Sequence, residues 1–240
     1  MSVPPAVHPI PLRVDFVSDV SCPWCAVGLK ALEQAIADVS DEIEVELHFQ
    51  PFELNPQMPP EGQDTAEHLT QKYGSTPAQL AQNREVLRQR GAELGFEFNQ
   101  RSRVYNTFDA HRLLHWAAGL GRPAELALKH ALLRAYFTDD KDVSAHAVLV
   151  QAASAAGLDP IRAGEILASD TYAADVRQQQ QLFLQRGINA VPSVIIDGQH
   201  LIQGGQPAAL FEQALRQIAG RPKPPEGDAG ATDERQPDGA

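Results

Sequence analysis

Cysteine is scarce in this sequence, because Cys22 and Cys25 are the only two among 240 residues. With a single pair, no additional disulfide can form within the chain. Hydrophobic residues nevertheless make up 43% of the sequence. This content is enough for a sizeable core, in one large domain or in one domain that carries an insertion.

Long apolar runs and an excess of positive charge are also missing. No segment approaches the about 20 apolar residues that span a bilayer. The chain has 31 acidic and 20 basic residues, a net charge of −11, which disfavours nucleic acid and anionic membrane surfaces as partners. Residues 1–11 have no basic start and no unbroken apolar stretch, so we expect no secretory signal and a cytoplasmic location. In that reducing compartment, paired cysteines are more often catalytic or metal-binding than structural.

The two cysteines form a Cys-x-x-Cys motif, Cys22-Pro23-Trp24-Cys25, between an apolar run and a helical pattern. Two thiols at this spacing can close a small disulfide ring. From Cys25 onward the apolar positions fall on one helix face, at Leu29, Leu32, Ile36 and Val39. Cys25 therefore belongs to a buried face, whereas Cys22 lies at the helix start, where unpaired N–H groups favour a thiolate. The motif predicts thiol–disulfide exchange, with an exposed attacking thiol and a shielded resolving thiol.

Two other interpretations of the motif compete with redox chemistry. A structural zinc site needs two further ligands, and His111 and His115 have a suitable spacing. Both histidines also fit a helix whose other face consists of core residues, namely Leu113, Leu114 and Trp116. An inert pair of buried thiols requires neither this spacing nor an adjacent helix start. Redox chemistry is favoured, and no metal site is predicted.

Secondary-structure patterns change twice along the chain. Residues 12–17 predict a strand, and residues 43–49 alternate strictly, as expected for a strand with one polar face at a sheet edge. With the motif helix between them, these strands predict a right-handed parallel βαβ unit. Residues 64–186 carry helical patterns throughout, with helix starts at Thr76 and Asp159, each followed by proline.

After Gly187 the pattern returns to strand, with a hairpin turn at Asp197-Gly198 and a final helix over 207–218. The order predicts an α/β thioredoxin-like fold with a mixed sheet, interrupted by an all-helical insertion domain. The predicted parts are a flexible arm, a first thioredoxin-like part, the insertion, a second thioredoxin-like part and a disordered tail, at 1–11, 12–63, 64–186, 187–219 and 220–240.

Three segments resemble the DsbA family, and within it the FrnE-like oxidoreductases. They are the Cys22–Cys25 motif, residues 187–194 and residues 106–111, and the resemblance covers residues 12–218. It implies that Pro192 is cis and faces the motif, and that the backbone of Val191 pairs with an extended substrate segment. Pro23 and Trp24 are expected to belong, with Val191 and Pro192, to the substrate-binding site and to tune the redox couple. The implied partners are protein or small-molecule thiols and disulfides, with glutathione as a candidate co-substrate and no cofactor besides the Cys22–Cys25 disulfide.

Asp15 is a secondary candidate. Relatives of this fold often keep a buried acid on the first strand that helps to move the proton of the second cysteine. The spacing from Asp15 to Cys22 is one residue longer than usual, with Ser21 as the extra residue. Asp15 has two alternatives, exposure on the strand or an ion pair with Arg13. Asp19, in the loop, is expected to be solvated.

The leading function is therefore a cytoplasmic thiol–disulfide oxidoreductase or isomerase. The missing second cysteine pair departs from relatives that have one and leaves isomerase activity open. A second class is a glutathione-dependent isomerase or transferase, similar to 2-hydroxychromene-2-carboxylate isomerase and the kappa-class transferases. Those proteins usually carry serine at the position of Cys22, so the retained Cys25 argues against that class. The third class is a non-catalytic binding module, with or without zinc. The oligomeric state is not predictable from these patterns.

Overall fold

A computed structural model of the protein describes residues 9–220. Residues 1–8 of the predicted arm and 221–240 of the predicted tail lie outside the described residues. The helices and strands are β1 (Ile10–Ser18), α1 (Pro23–Val39), β2 (Ile43–Pro51), β3 (Gln63–Asp64), α2 (Thr65–Tyr73), α3 (Pro77–Glu93), β4 (Arg103–Val104), α4 (Phe108–Leu120), α5 (Arg122–Phe137), α6 (His146–Ala155), α7 (Pro160–Leu167), α8 (Ala173–Gln185), β5 (Ser193–Ile196), β6 (His200–Gln203) and α9 (Ala208–Ile218).

The central sheet has four strands in the order β2-β1-β5-β6. Strand β1 is parallel to β2 and antiparallel to β5, and β6 pairs antiparallel with β5. The mixed sheet, the parallel βαβ unit and the edge position of β2 are as predicted. The hairpin turn between β5 and β6 has positive φ at Asp197 (50°) and Gly198 (69°). Such a turn requires this left-handed backbone at both central residues, which explains the Asp-Gly signal.

Alternation along β1 assigns its side chains to two faces of the sheet. Val14 and Phe16 belong to the large core cluster that also contains both cysteines and the apolar residues of α1 and α9. Val17 belongs to a separate small cluster with Phe183, which comes from α8. Because successive side chains of a strand point to opposite faces, Asp15 lies on the α8 side, whereas Ser18 lies on the α1 side.

The segment between β2 and β5 holds helices α2 to α8, with caps where the sequence predicts them. Thr76 and Gln79 form a capping box at the start of α3, and Asp159 accepts backbone hydrogen bonds at the start of α7. The segment is not wholly helical, because β3 and β4 form a two-stranded antiparallel ladder. The prediction of an all-helical insertion is corrected here: strands of two residues are too short to show an alternating pattern.

Helix α5 connects the packing of the insertion to that of the sheet. Its Leu128 and Leu132 belong to a cluster built from α4 to α7, and its Leu133 and Phe137 belong to the cluster that contains the cysteines. The insertion therefore shares a core cluster with the motif. None of the helices in residues 9–220 is long and apolar enough to cross a membrane.

Candidate active site at the Cys22–Cys25 motif

The motif lies at the start of α1, shortly after the end of β1. Cys22 is the N-cap residue, and its carbonyl oxygen accepts hydrogen bonds from the N–H groups of Cys25 (3.0 Å) and Ala26 (3.4 Å). Pro23 occupies the first turn, where a backbone N–H would have no helical partner. Both cysteines are free thiols and lie 3.3 Å apart. The two sulfurs are therefore close enough for exchange.

The two thiols differ in their surroundings. Cys25 is completely buried, and burial raises the pKa of its thiol well above the ordinary value, an effect that Cys22 increases and Lys129 opposes. Cys22 is 4% exposed, less than the sequence suggested, but it lines a large cleft and Cys25 does not. Only Cys22 is therefore accessible to a substrate, and it is reached through the cleft.

The Val191–Pro192 segment lies beside Cys22. Its peptide bond is cis, and the Cys22 Sγ–H donates a long hydrogen bond (3.7 Å) to the carbonyl oxygen of Val191. Pro192 packs on α1 at Gly28, where an added Cβ would lie 3.2 Å from Pro192 Cγ and 3.4 Å from Gly205 Cα. Gly28 therefore allows the proline loop to approach α1. A glycine inside a helical pattern was the available sequence signal for this contact.

The cleft has a volume of about 640 Å³. It separates the motif from α2, α3 and the segment that leads to β4, and one wall is apolar. Its lining residues are Ser21, Cys22, Pro23, Trp24, Leu54, Asn55, Asp64, Thr65, Ala66, His68, Leu69, Tyr73, Ser75, Leu80, Asn83, Arg84, Leu87, Phe98, Asn99, Gln100, Arg101, Ser102, Val104 and Val191. Trp24 of the motif, predicted to tune the couple, is 37% exposed beside this space. The volume lies within the range of small-molecule sites in proteins.

Positive charge predominates in the cleft, although the chain as a whole is acidic. The Arg101 guanidinium lies 5.3 Å from the ring centroid of Tyr136 and donates a hydrogen bond to the Tyr136 hydroxyl (3.3 Å). These two contacts fix its position. Neither Arg101 nor Arg84 forms an ion pair with a carboxylate of residues 9–220. Asp64, the only carboxylate in the lining, caps the N-terminus of α2 through the Glu67 N–H (2.9 Å). Sequence patterns do not show this grouping, since its members come from separate elements.

Asp15 is buried, and its carboxylate is hydrogen-bonded to other side chains. Its carboxylate accepts hydrogen bonds from the Arg13 guanidinium (2.7 and 3.0 Å) and from Gln50 Nε2 (2.7 Å). It also lies on the sheet face opposite α1. These contacts join Asp15 to neither cysteine, and the alternative of an ion pair with Arg13 is the one observed.

Asp19 corrects another expectation, because it is fully buried and not solvated. Its carboxylate accepts hydrogen bonds from the N–H groups of Ser21 (3.1 Å) and Leu54 (2.7 Å). Burial raises its pKa, but the neighbouring His111 and these N–H groups outweigh burial and hold the pKa below its ordinary value. The ionised carboxylate fixes the loop that leads into Cys22. A loop aspartate two residues before Ser21 is a typical turn signal, but burial depended on how the insertion packs.

The candidate zinc-ligating histidines have other contacts. His111 Nε2 lies 3.0 Å from the carbonyl oxygen of Phe52, and His115 Nδ1 lies 3.4 Å from Gln179 Oε1. Across the described part of the chain, no group of three or more His, Cys, Asp and Glu side chains is arranged to hold a metal ion.

Comparison with known proteins gives the family. A family profile described as a DSBA-like thioredoxin domain matches residues 13–216. The chain belongs to this family. The family and fold predicted from the sequence are confirmed, and the FrnE-like subgroup is consistent with the similar proteins.

The chain is similar to the following three proteins. A probable DsbA oxidoreductase from Streptomyces coelicolor is 35% identical, with a TM-score of 0.81 over 90% of this chain and 93% of that one. The uncharacterized protein YwbO of Bacillus subtilis is 28% identical over 206 residues, which cover 85% of this chain and 96% of YwbO. The cytosolic disulfide reductase DsbM of Pseudomonas aeruginosa, solved with GSH, is 16% identical, with a TM-score of 0.57 over 85% and 99% of the two chains, and shares the fold.

Proposed function

We propose that this protein is a thiol–disulfide oxidoreductase in which Cys22 exchanges with substrate and Cys25 resolves the mixed disulfide. The observation that carries the proposal is the inequality of two thiols 3.3 Å apart: Cys22 opens to the cleft at a helix start, and Cys25 is sealed in the core. An arrangement of this kind suits attack by one sulfur and release by the other.

The exchange proceeds in two steps. When the protein acts as a reductant, the Cys22 thiolate attacks one sulfur of a substrate disulfide, and the other substrate sulfur leaves as a thiolate. The Cys25 thiolate then attacks Cys22 Sγ, which releases the second substrate thiolate and leaves the Cys22–Cys25 disulfide. Two electrons pass to the substrate, and the steps reverse when the protein acts as an oxidant. The ratio of thiol to disulfide around the protein sets the direction.

The cleft supports a substrate class. We propose that low-molecular-mass disulfides bearing carboxylates, such as oxidised glutathione, enter it. Arg101 and Arg84 offer guanidinium groups that match a carboxylate, and the apolar wall accommodates the rest of a small peptide. An extended segment of the substrate would pair with the backbone of Val191, beside Cys22 Sγ. The presence of GSH in the DsbM structure is compatible with this class.

The alternative of a glutathione-dependent isomerase or transferase is less well supported, since such a reaction needs no resolving thiol and Cys25 is retained next to Cys22. A cytoplasmic location remains part of the proposal. It rests on the acidic, cysteine-poor composition and on the cytosolic activity named for DsbM.

The experiment compares Cys22→Ser with Cys25→Ser in the reduction of oxidised glutathione and of insulin. We expect Cys22→Ser to abolish turnover, and Cys25→Ser to accumulate a mixed disulfide with glutathione that intact-mass spectrometry detects. Equal residual turnover of the two variants would contradict the assigned roles. Turnover of insulin without turnover of oxidised glutathione would contradict the substrate class alone.

A further inference from the structure

Lys129 is an unusual side chain for the core of a protein. It is fully buried, and among residues 9–220 its Nζ makes a single hydrogen bond, to Ser18 Oγ (2.9 Å). The ring centroid of Phe49 lies 5.5 Å away. A buried ammonium with one neutral partner is strongly unfavourable unless a negative charge compensates it. Its retention in the core indicates that such a charge forms nearby.

The position of Lys129 connects it with Cys25. Ser18, which holds Nζ, lies on the sheet face that packs against α1. Leu133, one turn after Lys129 on α5, belongs to the same core cluster as Cys25 and Phe49. Lys129 does not line the cleft, so its charge acts on the motif from within the core. The insertion thus supplies a cation on the sheltered side of the resolving thiol.

The groups around Lys129 are largely acidic. Burial holds the pKa of Lys129 below its ordinary value, although Cys25, Asp19 and Glu125, with a smaller contribution from Cys22, act to raise it. In return, Lys129 lowers the pKa of Cys25 against the larger effect of burial. Asp19 is held as a carboxylate by His111 and backbone N–H groups, and so has its own partners. The two cysteines are the neighbours whose charge changes during the redox cycle, and of the two Cys25 has the larger effect on Lys129.

A small cavity with a mixed polar and apolar lining borders Lys129. It has a volume of about 30 Å³, enough for a water molecule. Lys129 and Glu125 of α5 share its lining with His111 and His115 of α4 and with Gln50 of β2, among others. Burial raises the pKa of Glu125 to about 7, while the Phe49 backbone and Lys129 lower it. Titratable side chains of α4 and α5 therefore share this cavity with Lys129.

We propose that Lys129 is the counter-charge of the Cys25 thiolate and thereby sets the rate at which Cys25 resolves the mixed disulfide. The inference rests on the proposed function. In the resolving step, the Cys25 thiol loses its proton to solvent, and Lys129 stabilises the thiolate. That thiolate attacks Cys22 Sγ, the Cys22–substrate bond breaks, and the substrate leaves as a thiolate. In the reverse step the Cys22–Cys25 bond breaks, the electron pair stays on Cys25, and Lys129 compensates the charge until a proton arrives.

Lys129 and the relay candidate Asp15 lie in different parts of the fold. Asp15 lies on the opposite sheet face with Arg13 and Gln50, whereas Lys129 lies on the side of Cys25. Lys129 is a positioning residue, since it acts on the reaction through its charge and not by contact with the substrate. Replacing Lys129 should therefore change the pH dependence of the resolving step. Replacing a residue with a purely structural role would leave that pH dependence unchanged.

The test isolates the resolving step. Cys22 is converted to a mixed disulfide with thionitrobenzoate, and release of the coloured thiolate by Cys25 is followed in single turnover from pH 5 to 10. We expect Lys129→Met to move the midpoint of the rate profile upward and to slow release at pH 7 by at least about tenfold, the effect of one pKa unit. Arg134→Met removes an exposed cation from the same helix and should leave the profile unchanged.

An unchanged profile in Lys129→Met overturns the inference. Lys129→Gln is measured in parallel and decides the matter if the methionine variant does not fold. If neither variant folds, an NMR titration of the Lys129 side chain in the wild-type protein decides it: a higher midpoint in the dithiol than in the disulfide form supports the inference, and equal midpoints overturn it. Turnover of oxidised glutathione by the wild-type protein tests the proposed function separately. If thionitrobenzoate is released at the normal rate but oxidised glutathione is not reduced, only the proposed substrate class is contradicted.

Discussion

Gly28→Ala tests whether the approach of the proline loop to α1 is needed for exchange. The substitution adds one methyl group inside a helix, at a position whose Cβ would lie 3.2 Å from Pro192 Cγ and 3.4 Å from Gly205 Cα. The first contact is closer than ordinary van der Waals distance, and the second involves backbone. We expect Pro192 to move by a few tenths of an ångström, and the carbonyl of Val191 to move with it away from Cys22 Sγ.

Two opposing effects set the change in stability. Replacing glycine by alanine inside a helix stabilises by roughly 0.5–1 kcal/mol. Overpacking of a close contact destabilises by about 1–3 kcal/mol. The second effect is larger, so we expect a net loss of roughly 0–2.5 kcal/mol, which lowers the melting temperature by up to about 10 °C at about 2–4 °C per kcal/mol. We expect kcat/KM with oxidised glutathione to fall by about 3–10-fold, equivalent to about 0.6–1.4 kcal/mol of transition-state stabilisation.

Gly164→Ala is the matched control, because Gly164 lies inside α7 and an added Cβ there meets nothing within 4 Å. It should gain the helical stabilisation and keep wild-type kinetics. Both variants are compared by thermal unfolding and by steady-state reduction of oxidised glutathione. If Gly28→Ala is as stable as Gly164→Ala and exchanges at the wild-type rate, the close packing of Pro192 on α1 has no role in the site.

Two further predictions concern charge. Arg101→Ala should raise KM for oxidised glutathione by roughly 5–30-fold, the effect of about 1–2 kcal/mol, and leave KM for the uncharged hydroxyethyl disulfide unchanged; an equal rise for both substrates would show that Arg101 recognises no carboxylate. The pKa of Glu125 is raised by burial from 4.5 to about 7 in the folded protein. The folded state therefore binds more protons than the unfolded state between these values, and stability falls as pH rises through that window. Glu125→Gln should match the wild type near pH 4.5 and exceed it by roughly 2–4 kcal/mol at pH 8 in urea unfolding, and parallel pH profiles would contradict this.

The sequence by itself determined the local parts of this protein. The Cys-x-x-Cys spacing, the apolar face of α1 and the Asp197-Gly198 turn depend on residues within a few positions of one another. Covalent geometry, helical periodicity and the steric demands of positive φ act over that range, so they are readable without a structure. The order of the strands and helices could be predicted as well, because each element has its own hydrophobic period.

The tertiary structure decided which of these parts meet. Asp15 and Asp19 have similar sequence surroundings, but strand alternation turned Asp15 away from α1, and packing of the insertion buried Asp19. Val191 reaches Cys22 across 169 positions of the chain, and Lys129 reaches Ser18 across 111. Such contacts depend on how separate elements pack, and burial and charge compensation, which determine the chemistry of Cys25, exist only once those elements are assembled.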